Sequence, residues 1–308
     1  FDLSAASNSG HPFRLSESAN GPTQYTTGVT TSGTAGNAGA TLTIAVASGA
    51  PTLYYFCTNH SGMGGQINTN TTAGASNFAG SITSQVRANA SAGFSVVTYT
   101  GTGSAGTVGH GLGVSPEFII VKSRSSTADW HIWHRSLNNG VSAGQYVLIF
   151  TTASTFGPNA TWWNNTTPSS TVFSVGGGSG TSGSSSTYVA YCFAPVAGYS
   201  SFGSYTGNGS ANGPFVYTGF RPRWILFKNS SVGVEDWWLH DTARNTYNVM
   251  TSLLVPNSSN AEATSAGHSV DALSNGFKIR TTAQGVNGLH TIVYAAFAEH
   301  PFAYARAR

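Results

Sequence analysis

The chain reads as short apolar runs separated by polar, glycine-rich turns. "PEFIIVKSR" (116–124) and "PRWILFKNS" (222–230) are apolar runs opened by a proline, which can begin a strand without breaking a ladder. "STVFSVGGG" and "SNGFKIRTT" alternate toward a Gly or Thr turn, and "YVAYCFA" and "IVYAAFA" have the continuous apolarity of buried strands. No long stretch has the apolar spacing of an amphipathic helix. The expected fold class is all-β, with strands at the spacing of sandwich or jelly-roll domains.

The pattern also repeats. "YTGTGSAGTVGHGLGVSPEFIIVKSR" (99–124) returns as "YTGNGSANGPFVYTGFRPRWILFKNS" (205–230), so that Tyr99 aligns with Tyr205, Pro116 with Pro222 and Lys122 with Lys228. "DWHIWH" (129–134) matches "DWWLHD" (236–241), and "TYVAYCFA" (187–194) matches "TIVYAAFA" (291–298). Matching blocks in the same order point to an internal duplication. The expected organisation is a first module over 1–68 and a polar linker over 69–92. Two tandem β-sandwiches follow, over 93–199 and 200–308, the second ending in the short basic tail "YARAR". "GGGSGTSGSSS" (176–186) has the composition of a flexible loop within the first sandwich.

Composition narrows the function classes. Asp, Glu, Lys and Arg make up 7% of the 308 residues, against about 25% in an ordinary soluble domain. Hydroxyls and amides take their place, a neutral exterior of the kind found on extracellular and virion proteins. The net charge of +3 is spread over few groups without a Lys/Arg run, so no nucleic-acid groove is expected. No apolar run is long enough for a membrane helix, and no membrane insertion is expected. The sequence opens at Phe1 rather than Met, as a processed or partial product would. Two cysteines do not make a disulfide framework. Cys192 lies in an apolar strand where the second repeat has Ala296, so it reads as a buried core position.

Candidate chemistry concentrates in "YYFCTNHSGMGG" (54–65). An aromatic strand leads into Cys57-x2-His60-x2-Met63, Gly-Gly lets the chain turn, and a strand resumes at Gln66. One thiolate, two imidazoles and a thioether are the ligand set of a type 1 copper site. His11, in "SGHPFRL", is the remote imidazole. At these residues the first module resembles the cupredoxin, or blue copper, family, with the short Cys-to-Met loop of amicyanin-type members. The resemblance implies a Greek-key fold, copper as cofactor, His11, Cys57 and His60 as equatorial ligands and Met63 as axial ligand. It also implies strands ahead of His11 that this sequence does not contain. A copper-binding electron carrier or copper-storing surface protein would follow from it.

"SAGFSVVTYTGTGSAGTVGHGLGVSPEFIIVKSRSSTADWHIWH", "YVAYCFAPVAGYSSFGSYTGNGSANGPFVYTGFRP" and "LSNGFKIR" resemble a domain of tail-fibre-like structural proteins of marine tailed phages. That resemblance covers most of the chain. It implies a virion structural or appendage protein rather than an enzyme, homo-oligomeric and in contact with other virion proteins, with host-glycan attachment as an added role.

Tryptophans supply the candidate contact residues. Trp130 and Trp133, with Trp237 and Trp238 of the second repeat, could stack on sugar rings, although core packing is the commoner role of strand tryptophans. Trp162 and Trp163, in "ATWWNNTTPSS", sit in an apparent loop, where exposed aromatics favour binding. His110 in "GHGLG" reads as a turn residue. Glu235 and Asp236 could serve as an acid/base pair of a glycan-degrading tailspike. The first repeat has no partner for Asp129, however, so the pair is not duplicated.

Overall fold

The computed structural model describes residues 1–19, 21, 23–46, 50–67 and 74–299, and the chain divides into two compact units at Ser76/Asn77. Both are built from antiparallel strands, as the short alternating runs require.

The first unit contains β1 (Phe13–Ser16), β2 (Val29–Ser32), β3 (Thr41–Ile44), β4 (Leu53–Cys57) and β5 (Gly64–Ile67). They form two small sheets, β1–β4–β5 and β2–β3. Leu15, Leu42 and Leu53 are its fully buried core, with Phe13, Tyr25 and Val29 packed around them. The β4–β5 hairpin needs its glycines: a Cβ on Gly64 would stand 2.2 Å from the Tyr55 carbonyl oxygen.

β6 (Ala75–Asn77) spans the division, and β7 (Ser84–Asn89), β8 (Phe94–Thr100), β9 (Gly106–Gly109), β10 (Phe118–Ser123), β11 (His131–His134) and β12 (Leu148–Ile149) follow in the second unit. A one-turn helix, α1 (Ala160–Trp163), follows, then β13 (Val172–Val175) and β14 (Thr187–Phe193). The second half holds β15 (Ser200–Thr206), β16 (Phe215–Tyr217), β17 (Pro222–Asn229), β18 (Trp237–Asp241), β19 (Ser252–Leu253) and β20 (Ala263–Thr264). It closes with β21 (Val270–Leu273), β22 (Gly276–Ile279), the one-turn helix α2 (Gln284–Asn287) and β23 (Thr291–Ala298). Neither helix is long or apolar enough to cross a membrane.

The sheets follow the sequence matches. In the first half the strand order β12–β11–β10–β14–β8–β7–β6 makes one large sheet, beside which lies the pair β13–β9. In the second half the order is β18–β17–β23–β15, beside β16–β22–β21. The run β11–β10–β14–β8 and the run β18–β17–β23–β15 thus place matching sequence blocks in matching positions.

Alternation then decides what each face does. On β17, Ile225 and Phe227 point into the core of the second half with Phe277 and Ile292. Leu226, on the other face, belongs to the core built around the first half, together with Trp237, Val293 and Ala295. On the facing sheet Phe118 stacks on Phe202 with ring centroids 5.7 Å apart. Phe193 and its sequence counterpart Phe297 meet at 5.8 Å. The gap among Phe118, His134, Leu148, Leu226 and Trp237 holds only about 10 Å³, no more than a single water needs.

Three expectations are therefore corrected. The boundary at 199/200 does not separate two independent bodies, because an apolar face of each half covers that of the other. The stretch 69–92 is not a linker where it is described. β7 is a full ladder partner of β8 from Ser84↔Tyr99 to Asn89↔Phe94, its Val86 buried. Its weak hydrophobic alternation hid it, and residues 69–73, like the tail 304–308, lie outside the described residues. The Gly/Ser stretch 176–186 is not a free loop either. Thr181 and Ser182 are fully buried, and the Tyr99 hydroxyl donates to the Thr181 carbonyl at 2.7 Å. A Cβ on Gly180 would lie 2.2 Å from the His131 ring, so close packing, not mobility, explains that glycine.

Candidate metal centre

The β4–β5 hairpin and the start of β1 bring three donors together. β1 runs antiparallel to β4 with Phe13 opposite Cys57, which sets His11, two residues before Phe13, beside the thiol. Cys57 Sγ lies 3.8 Å from His11 Nδ1 and 3.4 Å from His60 Nδ1. The three residues offer ligand atoms that all fall within 4.8 Å of one another. The two imidazole rings face each other obliquely, centroids 4.5 Å apart.

Backbone contacts hold this arrangement. The Cys57 N–H donates to the Met63 carbonyl at 3.0 Å, closing the loop, and the Thr58 N–H reaches the Pro12 carbonyl at 3.3 Å. Asn59 Nδ2 donates to the Gly10 carbonyl at 3.0 Å, tying the Cys57–Met63 loop to the segment that carries His11.

The spacing suits a metal. Bonds of roughly 2.0 Å to imidazole nitrogen and 2.3 Å to thiolate sulfur, opened by about 110–120°, separate the two donors by about 3.5–3.8 Å. The observed Sγ–Nδ1 distances bracket that range. A thiolate with two imidazoles is a donor set that suits copper and zinc alike. Met63 is half-exposed, at 47%, and lines with His11 and Cys57 a cavity of about 460 Å³ whose walls include Phe1, Phe13 and Tyr55.

The two cysteines should behave oppositely. Cys57 is partly exposed; Cys192 is fully buried, and burial pushes its thiol up to about 12. A thiol reagent is expected to modify one cysteine in the native protein and two after unfolding, with Cys57→Ser removing the native reaction. Native labelling of Cys192, read by peptide mass, would contradict this.

The tryptophans divide by burial. Trp133, Trp163 and Trp237 are core residues, each 3% exposed or less, which removes them as ligand contacts. Trp163 sits on α1 rather than in a loop: the Asn159 side chain accepts from the Thr161 N–H at 2.7 Å and starts that turn. Trp162 is half-buried beside Phe156. Trp238 stacks on His268 at 3.7 Å, its indole nitrogen buried. Trp130, one residue ahead of β11, is 37% exposed and stacks on Tyr191.

The acidic cluster is structural in its contacts. Asp236 Oδ1 accepts from Asn257 Nδ2 at 2.7 Å, and Asn257 Oδ1 accepts from the Trp237 N–H at 2.8 Å. The Glu235 carbonyl accepts from buried Lys228, whose ammonium group burial brings down to about 8. Lys122 makes the matching contact to the Ala128 carbonyl. Each lysine lies about one ring width from its tryptophan, 5.9 Å for Lys122–Trp130 and 6.0 Å for Lys228–Trp237. His110 is buried in its turn, Nε2 donating to the Ser169 carbonyl and Nδ1 accepting from the Leu112 N–H.

A family model described as "Domain of unknown function (DUF7483)" matches residues 66–301. The match takes in all of the second unit's described strands from β7 onward and leaves out His11, Cys57, His60 and Met63. No curated protein and no solved structure matches the chain.

Proposed function

The chain belongs to this family, and we propose that it is a structural or appendage protein of a tailed-phage particle, exterior in location and homo-oligomeric. One observation carries the reading furthest: the two halves of residues 77–299 share a run of four strands in the same order, and Phe193 packs against its sequence counterpart Phe297. Such a duplicated sandwich pair is a rigid spacer that carries loops at its ends. The sparse charge, 23 ionisable Asp, Glu, Lys and Arg side chains in 308 residues, suits a lattice or fibre because identical copies then repel little at long range. Sedimentation should give one discrete oligomer, and an antibody to the protein should label purified particles. A protein that stays monomeric and is missing from particles would sink this reading.

A second reading applies to the first unit, favoured by the Cys57, His11 and His60 donor geometry. We infer a cupredoxin-like copper site, with Met63 as the axial candidate. A unit with three fully buried leucines has a small core, and a metal clip is one way in which such units are stabilised. Bound copper would supply reversible one-electron chemistry and a strong thiolate absorption. The residues' own part is to present Cys57 Sγ and His60 Nδ1 on the hairpin and His11 Nδ1 on the segment that Asn59 ties to it. One equivalent of Cu(II) should bind and give an intense visible band, lost in Cys57→Ser and weakened in His11→Ala. A colourless mixture with no copper retained after desalting would exclude the site.

A further inference from the structure

A cleft in the second unit has the wall chemistry of a neutral-sugar site. Its volume is about 170 Å³, and it is lined by Asn138, Asn139, Tyr146, Thr155, Ser230, Ser231 and Thr291. The first four come from the first half of the unit and the last three from the second. Every lining side chain is an amide or a hydroxyl, and none is charged.

Part of this polar wall is already committed. The Thr155 hydroxyl donates to the Ser230 carbonyl at 2.7 Å, the Ser230 hydroxyl to the Thr291 carbonyl at 3.0 Å, and the Thr291 hydroxyl to Asn139 Oδ1 at 3.0 Å. Asn138 Nδ2 donates to the Val141 carbonyl at 3.0 Å. These bonds fix the wall. They leave the Asn139 amide N–H groups, Asn138 Oδ1, the Tyr146 hydroxyl and the Ser231 hydroxyl without a bond among the described residues. The remaining groups offer both donors and acceptors, as a vicinal diol demands.

The two asparagines are also held in an uncommon shape. Asn138 and Asn139 have φ of 49° and 56°, and Gly140 follows at 81°. Asparagine tolerates the left-handed region better than other side-chain-bearing residues. Three such residues in a row present both amides from a tight turn, and rotamer-fixed amides bind with less entropy to lose. The Tyr146 ring is the single aromatic in the wall, a surface for the apolar face of a sugar ring.

We propose that this cleft binds a single neutral, hydroxyl-rich ring, a hexose or N-acetylhexosamine at the end of a glycan. The volume lies below the roughly 300–1,000 Å³ of drug-sized pockets, which limits it to one ring. The absence of lining charge disfavours uronic acids and phosphates. The inference stands on the cleft and does not require the particle reading.

Saturation-transfer NMR on the full chain with D-galactose, D-glucose, D-mannose and N-acetyl-D-glucosamine tests it, with D-glucuronate as the charged probe. At least one neutral sugar should show saturation, with a millimolar dissociation constant. Asn139→Gly, which suits the positive φ, and Tyr146→Phe, which keeps the ring, should each weaken binding at least fivefold, with the thermal midpoint held. No saturation by any neutral sugar overturns the proposal. So does binding that both variants leave unchanged, or a preference for glucuronate.

Discussion

Trp237→Ala should be among the most damaging single substitutions in the second unit, costing about 3–5 kcal/mol. Trp237 is 2% exposed. Its ring packs on Phe150 at 4.7 Å, and its indole N–H donates to the Ile149 carbonyl at 2.9 Å. Both partners belong to the other half of the unit. The variant therefore loses apolar burial and one of the two donors to the Ile149 carbonyl, which keeps the Thr151 N–H at 2.8 Å, and it does so where the two halves join. Because the core is shared, denaturant unfolding should remain a single transition at lower midpoint for residues 77–299. The counterpart Trp130 provides the control. It aligns with Trp237 in the repeat and makes the same contact with a lysine, yet is 37% exposed. Trp130→Ala should cost about 1 kcal/mol, in line with a partly exposed site. Equal losses at the two positions, or separate transitions for the two halves, would show that the halves do not depend on each other.

That pair of tryptophans also marks where the sequence is legible and where it is not. The repeat and the strand runs were readable because alternation and proline-opened runs are local properties. The strands β10, β14, β17 and β23 stand where the apolar runs lie. The pairing of Phe193 with Phe297 was not readable, since no local pattern says which face of a buried strand meets its own half and which meets the other. β7 escaped for a different reason: "SQVRAN" has two apolar residues, and only its hydrogen bonds to β8 make it a strand. Ser- and Gly-rich composition misled at 176–186, where small residues serve close packing under the Tyr99 and Tyr188 rings. At the donor cluster, the Cys57 and His60 spacing within one hairpin was visible in the sequence. The proximity of His11 was expected from the cupredoxin resemblance and is produced by the β1–β4 ladder. The Asn139 cleft left no signal, being assembled from hydroxyls and amides that are common throughout the chain.

Acidification should destabilise the second unit steeply between about pH 6.5 and pH 4. His134 is buried, its Nε2 donating to the Tyr294 carbonyl at 3.0 Å and its Nδ1 accepting from the Ser136 N–H at 3.1 Å. A carbonyl can only accept and an amide N–H can only donate, so the ring is locked neutral, with its proton on Nε2. Adding a proton at Nδ1 would set two N–H groups against each other. Burial takes its pKa down to about 4 from an ordinary 6.5. Burial does the same to His240, which packs edge-on against Phe227, helped by the nearby His268 and Arg244. With folded values below unfolded ones, the unfolded chain binds more protons in this window. The stabilisation is present in full above about pH 6.5 and is lost as the pH falls through 4. Each histidine is worth about 3 kcal/mol over that range. Burial lowers His110, His131 and His268 as well, with the same sign. Glu117 and Glu235, which burial raises, act in the opposite direction and offset part of the loss. Urea unfolding at pH 7, 5.5 and 4.5 measures the effect. His134→Gln, whose amide can still donate to Tyr294, should reduce the number of protons taken up on unfolding by about one. Stability that stays level from pH 7 to 4.5, or a proton count that His134→Gln leaves unchanged, would show that His134 is not held neutral by the contact between the two halves.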